Sequence, residues 1–387
     1  MLTPEMNERL TRVGLGTPAG DLLRRYWYPI AFAADLTDEQ PTRMIRLLGE
    51  DLVLFKDRSG CVGLLADHCS HRGASMLYGR VEERGIACAY HGWLYDTEGN
   101  CLECPAEPEG SRFYLTVKHR AYPVQQLIGL YWAYLGPEPA PRIPPYDLFL
   151  RQDGRRTIQL RGRLDCNWLQ AMENSVDSPH SQILHQDTAR SRVRPTSTTR
   201  GQIDSVASYE YSLFPYGVMK NRTYKDGRID EHPLIFPNIL QQGNGMEIRV
   251  PLDDTHTWVW EMRFQLSPDA SPAEEAEPEI VPTEPFKDPE GVLHPHARYF
   301  MNSVEAQDYM AWETQGALAN RPGEHLATSD RGVVMYRELL AENVDRVARG
   351  EDPMGVIRDP EHPMIDTHLM RSIHHRAGLI DRPAAIA

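Results

Sequence analysis

The feature that most constrains this 387-residue chain is a pair of short Cys/His arms. One is Cys69-Ser70-His71; after sixteen intervening residues comes Cys88-Ala89-Tyr90-His91. Each arm fits on one tight loop, so two loops can close on a shared metal from opposite sides. Gly73, Gly85 and Gly92 flank the arms and let the backbone bend close to it. A structural zinc also takes two Cys and two His. Its usual spacing pairs Cys with Cys and His with His, whereas each arm here mixes the two. Mixed arms suit a 2Fe–2S cluster with two thiolates on one iron and two imidazoles on the other. Coincidental core Cys and His residues are the bland reading, and the joint spacing disfavours it.

The pattern around the arms is β. Met44–Gly49 and Leu52–Phe55, with a turn at Asp57–Gly60, read as short strands, and a further β run covers Leu127 to Leu135. Ahead of them, Leu22-Leu23-Arg24-Arg25-Tyr26-Trp27-Tyr28-Pro29 reads as a helix leading into a strand. The proline-rich stretch Pro137–Pro145 is a stiff connector and a natural boundary. Beyond it the pattern is mixed. A helix covers Asn167–Asn174 and breaks at Pro179, strands recur over 200–265, and 267–291 is a Pro/Glu-rich loop. A helix from Ser303 to Gln315 is capped by Asn302 with Glu305, and Gly316 stops it. Another, Asp330 to Arg349, carries apolar residues at 333, 336, 340, 344 and 347. The expected class is α+β, divided into a lead-in over 1–40, an all-β domain over 41–140 and a second domain over 141–387.

The second domain opens on another constellation, Glu173-Asn174-Ser175-Val176-Asp177-Ser178-Pro179-His180-Ser181-Gln182-Ile183-Leu184-His185. Two His five apart would point about 140° apart on a regular helix. They converge only if the helix is distorted, and Pro179 is a credible cause. Asp177, three residues before His180, could accept a hydrogen bond from its ring and orient it. By itself such a pair is more often structural than ligating.

Cys69-Ser70-His71-Arg72-Gly73-Ala74 and Cys88-Ala89-Tyr90-His91-Gly92-Trp93 strongly resemble the two loops of the Rieske domain of ring-hydroxylating oxygenases. Downstream, the Asp-x2-His-x4-His pattern resembles the mononuclear non-haem iron motif of that family. Glu305–Tyr309, Gln315-Gly316 and Glu324-His325-Leu326 look like its phthalate dioxygenase branch. The resemblance spans the chain from Leu22 to the helix at 330–349. It implies an all-β Rieske domain followed by a helix-grip-like antiparallel sheet with helices holding mononuclear iron. Cys69 and Cys88 would bind one cluster iron, His71 and His91 the other. His180, His185 and Asp308 would bind Fe(II), with Glu305 and Glu313 as rivals of Asp308. Asp177 would bridge to His91 of a neighbouring subunit, which implies a homotrimer or a multiple of it. Electrons would come from NAD(P)H through a separate flavin and ferredoxin-type reductase. O2 would be the co-substrate. The substrate would be aromatic, an acid or aryl ether, undergoing dihydroxylation, mono-oxygenation or oxidative dealkylation. A Rieske electron-transfer protein without oxygenase activity is the alternative, but the 177–185 pattern would then serve nothing.

Ser181 follows the first His as in phthalate-type enzymes. Tyr211, Phe214, Tyr216, Met219, Phe236, Ile239 and Trp258 are the candidates for an apolar substrate pocket. Phthalate enzymes recognise carboxylates with Arg residues in the 200–250 segment. Lys220, Arg222 and Arg249 stand there, and the sequence does not separate that role from plain surface charge. Cys101-Leu102-Glu103-Cys104, in a Pro-rich loop, is a weak dithiol signal. Cys61 and Cys166 read as buried fillers. With 41 basic against 55 acidic side chains, the net charge of −14 argues against nucleic-acid partners. The N-terminal residues lack a signal-peptide pattern, and no apolar run is long enough to span a bilayer. The expectation is a cytoplasmic protein with no membrane partner.

Overall fold

Prolines decide where the first two helices begin. Thr3 and Thr17 cap Pro4–Thr11 and Pro18–Leu23, accepting from the amides of Met6 and Gly20 at 3.2 Å each. Proline at the first helical position already has helical φ and leaves no N–H unpaired. The computed structural model describes residues 2–185, 205–267, 278–288, 298–301 and 303–367.

Strand Trp27–Phe32 lies antiparallel to Leu130–Tyr134, which turns back on Val124–Leu127. The single β run expected over 127–135 is therefore part of a hairpin. Ile128 and Gly129 both take left-handed φ, 49° and 71°, and reverse the chain in two residues. Two four-stranded antiparallel sheets complete the all-β part. One is built from Thr42–Leu47, Glu50–Lys56, Val62–Ala66 and Ala121–Tyr122. The other, from Arg80–Glu82, Gly85–Ala87, Leu94–Tyr95 and Cys101–Glu103, carries the second Cys/His arm between its middle strands. Cys61, expected as a buried filler, is exposed. It enters a strand from a turn, where its amide donates to Asp57 Oδ1 at 2.9 Å. Cys166 is buried as expected.

The later part of the chain is built on an eight-stranded sheet. Its order is Val206–Phe214, Gly217–Tyr224, Ile229–Ile235, Ile239–Gln242, Gly245–Pro251, Thr257–Leu266, Gly154–Leu160 and Glu279–Ile280. Every pairing is antiparallel except the last. Helix Trp168–Val176 packs against strands Ile239–Gln242 and Gly245–Pro251, and also touches helices Val304–Glu313 and Arg331–Ala348. In Arg331–Ala348 the apolar positions 333, 336, 340, 344 and 347 are all buried, as the 3.6-residue period requires. Val304–Glu313 is capped by Ser303, whose Oγ accepts from the Ala306 amide at 3.0 Å. The expected cap at Asn302 is thus replaced by its neighbour; Asn302 itself lies outside the described residues. The largest apolar core runs through both parts, joining Leu22, Trp27 and Leu47 to Trp168, Phe236 and Leu340. No helix among the described residues is long and apolar enough to cross a membrane.

One buried ion cluster ties these layers together beside the 177–185 segment. Glu173 accepts from Arg321 through both carboxylate oxygens at 2.8 Å and from Arg337 Nε at 2.6 Å. Burial alone would raise Glu173, but the two guanidinium groups outweigh it and hold the carboxyl below its ordinary 4.5. Its stabilising contribution is therefore complete above pH 4.5 and is lost as pH falls through the lower folded value. Glu173→Ala leaves the buried Arg321 guanidinium without a counter-ion and Arg337 with Glu324 alone. Denaturant titration should show a loss of ~3–5 kcal/mol at neutral pH. An unchanged midpoint would mean that solvent reaches the pair.

Candidate metal centres

Cys69 and Cys88 sit in loops of one design. In each, the Cys carbonyl accepts from the amide four residues on, Gly73 or Gly92, at 2.8 Å. The Cys amide donates to the carbonyl five residues on, Ala74 or Trp93, at 2.9 Å. The design needs glycine at its fourth step, where φ is 72° at Gly73 and 74° at Gly92. Both thiols are buried, and burial pushes Cys88 up. The loop tips bring His71 and His91 together, ring centroids 4.5 Å apart. Trp93 stacks on His71 at 4.3 Å, and the Tyr95 hydroxyl meets Cys69 Sγ at 3.4 Å. Desolvation first, then the charges of His71 and Arg72, lowers His91, which favours the neutral imidazole a metal ligand must be. His71 Nδ1 is buried with no hydrogen-bond partner. An orphaned imidazole nitrogen beside two buried thiols fits a 2Fe–2S cluster of mixed ligation.

Cys101 opens a strand instead of lying in a loop, and its Sγ is 3.7 Å from that of Cys104. Burial, then the hydrogen bond with Cys104, pushes Cys101 up to about 12. A thiol held protonated this firmly is a poor nucleophile.

The second constellation forms at a break between helices. Asn167 caps Trp168–Val176, and Asp177 ends it with a ψ of 117°. After Pro179 a new turn, His180–Ile183, begins; His185 lies just past its end. The two histidines therefore share no regular helix, and their rings converge at 5.4 Å and 88°. His180 Nε2 and His185 Nε2 approach Asp308 Oδ1 at 3.7 and 3.3 Å. Ligand atoms of all three lie within 4.8 Å of one another. Asp177 Oδ2 stands 3.4 Å from His180 Nδ1, and Gln307 Oε1 2.9 Å from His185 Nδ1. Burial would lower His185, but the bond and charge of Asp308 outweigh it and raise the ring. Glu305 instead faces Arg161 and Arg263 at 3.4 and 3.8 Å. Glu313 is buried, accepting from Lys287 Nζ at 2.7 Å and the Tyr299 hydroxyl at 2.6 Å. Two imidazoles and one carboxylate fit the facial triad of non-haem Fe(II).

The triad opens into a cavity of about 260 Å³ whose walls are polar. None of Tyr211, Phe214, Tyr216, Met219, Phe236, Ile239 and Trp258 lines it, against the expectation of an apolar pocket. For three of them strand parity is the reason. Lys220, Arg222, Leu240, Glu247, Arg249, Glu261 and Arg263 line the cavity, so Met219, Ile239 and Trp258 fall on the opposite face of their strands. Arg249 pairs with Glu247 at 2.7 Å, and Arg222 with Asp230 at 2.9 Å while it also donates to Ser181 Oγ. Among the described residues Lys220 makes no hydrogen bond and no ion pair. Burial, then the charge of Arg222, lowers it to about 8. A larger groove of about 850 Å³, lined by Arg80, Asp96, Cys101 and Tyr114 among others, contains no member of the triad.

Residues 26–124 match the family model of the Rieske 2Fe-2S domain, and residues 299–376 that of the LigXa C-terminal domain. The chain is 40% identical to a 5,5'-dehydrodivanillate O-demethylase oxygenase subunit of a Sphingobium species, over 93% of this chain and 84% of that one. It is 34% identical to the phenoxybenzoate dioxygenase subunit alpha of Ectopseudomonas oleovorans, over 90% of this chain and 87% of that one. The fold resembles the terminal oxygenase of carbazole 1,9a-dioxygenase from Nocardioides aromaticivorans, with a TM-score of 0.57 at 19% identity. That likeness covers 88% of this chain and 97% of the other.

Proposed function

Because this chain belongs to the Rieske non-haem iron oxygenases as a terminal oxygenase subunit, we propose that it oxygenates an aromatic acid, with methoxylated acids first among its substrates. One observation carries the reading: His180, His185 and Asp308 converge at a cavity that holds Lys220, which has no partner among the described residues. Cys69, Cys88, His71 and His91, in the 41–140 domain that follows the 1–40 lead-in, would hold the 2Fe–2S cluster. His180, His185 and Asp308, in the 141–387 domain, would hold Fe(II). When bound, these groups supply O2 activation and one-electron transfer, with NAD(P)H oxidised by a separate flavin or ferredoxin-type reductase in the cytoplasm.

The chain's own residues do the rest. Each histidine turns Nε2 inward and Nδ1 toward a polar neighbour, so ring orientation is set before anything binds. The Asp177 side chain keeps 29% of its surface exposed and can meet His91 of a neighbouring copy in a homotrimer or a multiple of one. Lys220 and Arg222 offer cations to a substrate carboxylate, and Ser181 steadies Arg222. Whether the product is a diol or a demethylated phenol follows from which carbon the anchored acid presents.

A screen of methoxylated and unsubstituted aromatic acids with a surrogate reductase, read by product mass, tests the reading. Failure to oxygenate any acid while turning over neutral arenes would sink it. Lys220→Met should raise KM for the acid on the order of tenfold, equivalent to about 1.4 kcal/mol, and change KM for its methyl ester little. Lys220 is a cation below pH 8 and loses charge above it, so KM for the acid should climb as pH passes 8. Lys220→Arg should flatten that climb.

A further inference from the structure

Resting on the triad reading above, we propose that Gln307 is the positioning residue that sets the tautomer of His185. It precedes Asp308 on helix Val304–Glu313 and is 4% exposed. Its Oε1 lies 2.9 Å from His185 Nδ1, and its Nε2 donates to the Met301 carbonyl at 3.4 Å. A primary amide has one accepting end and one donating end. The Met301 carbonyl can only accept, so it claims the amide nitrogen and leaves the oxygen for the histidine. His185 Nδ1 must then keep its proton, so Nε2, 3.3 Å from Asp308 Oδ1, is the nitrogen that would present its lone pair to a bound metal.

Two further observations support the assignment. Met301 is a non-glycine residue with φ of 54°, a backbone state that side chains resist and that clusters at functional sites. The carbonyl it presents is the one that orients Gln307. The two histidines also face unlike groups, a carboxylate 3.4 Å from His180 Nδ1 and a neutral amide at His185. An amide oxygen accepts the Nδ1 proton without competing for it as a carboxylate does. Helix Val304–Glu313 thereby supplies both the carboxylate facing His185 Nε2 and the group facing its Nδ1.

The test uses full-length protein with its cluster intact and its mononuclear site stripped, titrated with cobalt(II) chloride. Gln307→Leu should weaken cobalt binding ~10- to 100-fold with the cluster's visible spectrum unchanged. Gln307→Glu, which keeps an acceptor, should recover most of the affinity, and Met301→Gly, which keeps the carbonyl, should match the wild type. In the cobalt form, proton NMR should show one shifted, solvent-exchangeable Nδ1–H line for each ligating histidine. The Leu variant should lose the His185 line through fast exchange. Wild-type affinity with both lines intact in Gln307→Leu would overturn the inference, as would a Glu variant no better than Leu. If the wild-type protein binds no cobalt through His180, His185 and Asp308, the triad reading itself falls.

Discussion

Asp308→Ala should remove the mononuclear metal while leaving the cluster in place. Iron content is expected to fall from about three to about two per chain, with the cluster's visible absorption unchanged. Turnover should drop on the order of 10³-fold or more, since a bound metal contributes several kcal/mol of transition-state stabilisation. The size of the effect follows from the geometry: Asp308 Oδ1 is the atom on which both Nε2 nitrogens converge. Without it two neutral imidazoles remain, and the hard oxygen donor is gone. Unchanged iron in the variant would move the ligand to another carboxylate. Glu305 and Glu313 are already committed to Arg161, Lys287 and Tyr299. A wild-type protein with only two irons per chain would instead favour an electron-transfer protein.

Asp177→Asn separates metal loading from turnover. The amide has the same shape, sits at the same helix end and can still touch His180, so both centres should load normally. What it lacks is the negative charge that would let one carboxylate serve both His180 and, in the proposed bridge, His91 of a neighbouring copy. Steady-state oxygenation should fall ~100-fold or more, with iron content and cluster spectrum those of the wild type. Full activity would refute the bridge. Loss of iron would show that Asp177 serves only to orient His180.

Much of this was legible locally because it needs few residues. A Cys and a His two or three positions apart on a Gly-bearing loop converge through the loop's own hydrogen bonds, and both loops form that way. The stripe at 333, 336, 340, 344 and 347 needs only the helical period to predict its buried face. The pair at His180 and His185, and the helix break at Pro179 between it and the preceding helix, were visible too. Two short helices meet at Pro179 in place of one distorted helix, because Asp177 leaves helical geometry first.

Other features depend on what packs against what. Met219, Ile239 and Trp258 miss the cavity by one residue of parity: alternation separates two faces of a strand but does not say which one meets the helices. The sheet turns Lys220, Arg222 and Arg249 toward the cavity in place of apolar side chains. Gln307 carried no signal, since a glutamine beside an aspartate is ordinary until a distant histidine reaches it. By itself, then, the sequence determined the two Cys/His arms, the Asp-x2-His-x4-His run and the family they imply. All of these are set by spacing along the chain. Only the tertiary structure decided that Asp308 completes the triad's geometry, that Gln307 faces His185 and that the cavity is charged. Those meetings depend on how helix Val304–Glu313 and the eight-stranded sheet pack, and packing is fixed by contacts between residues far apart in the chain.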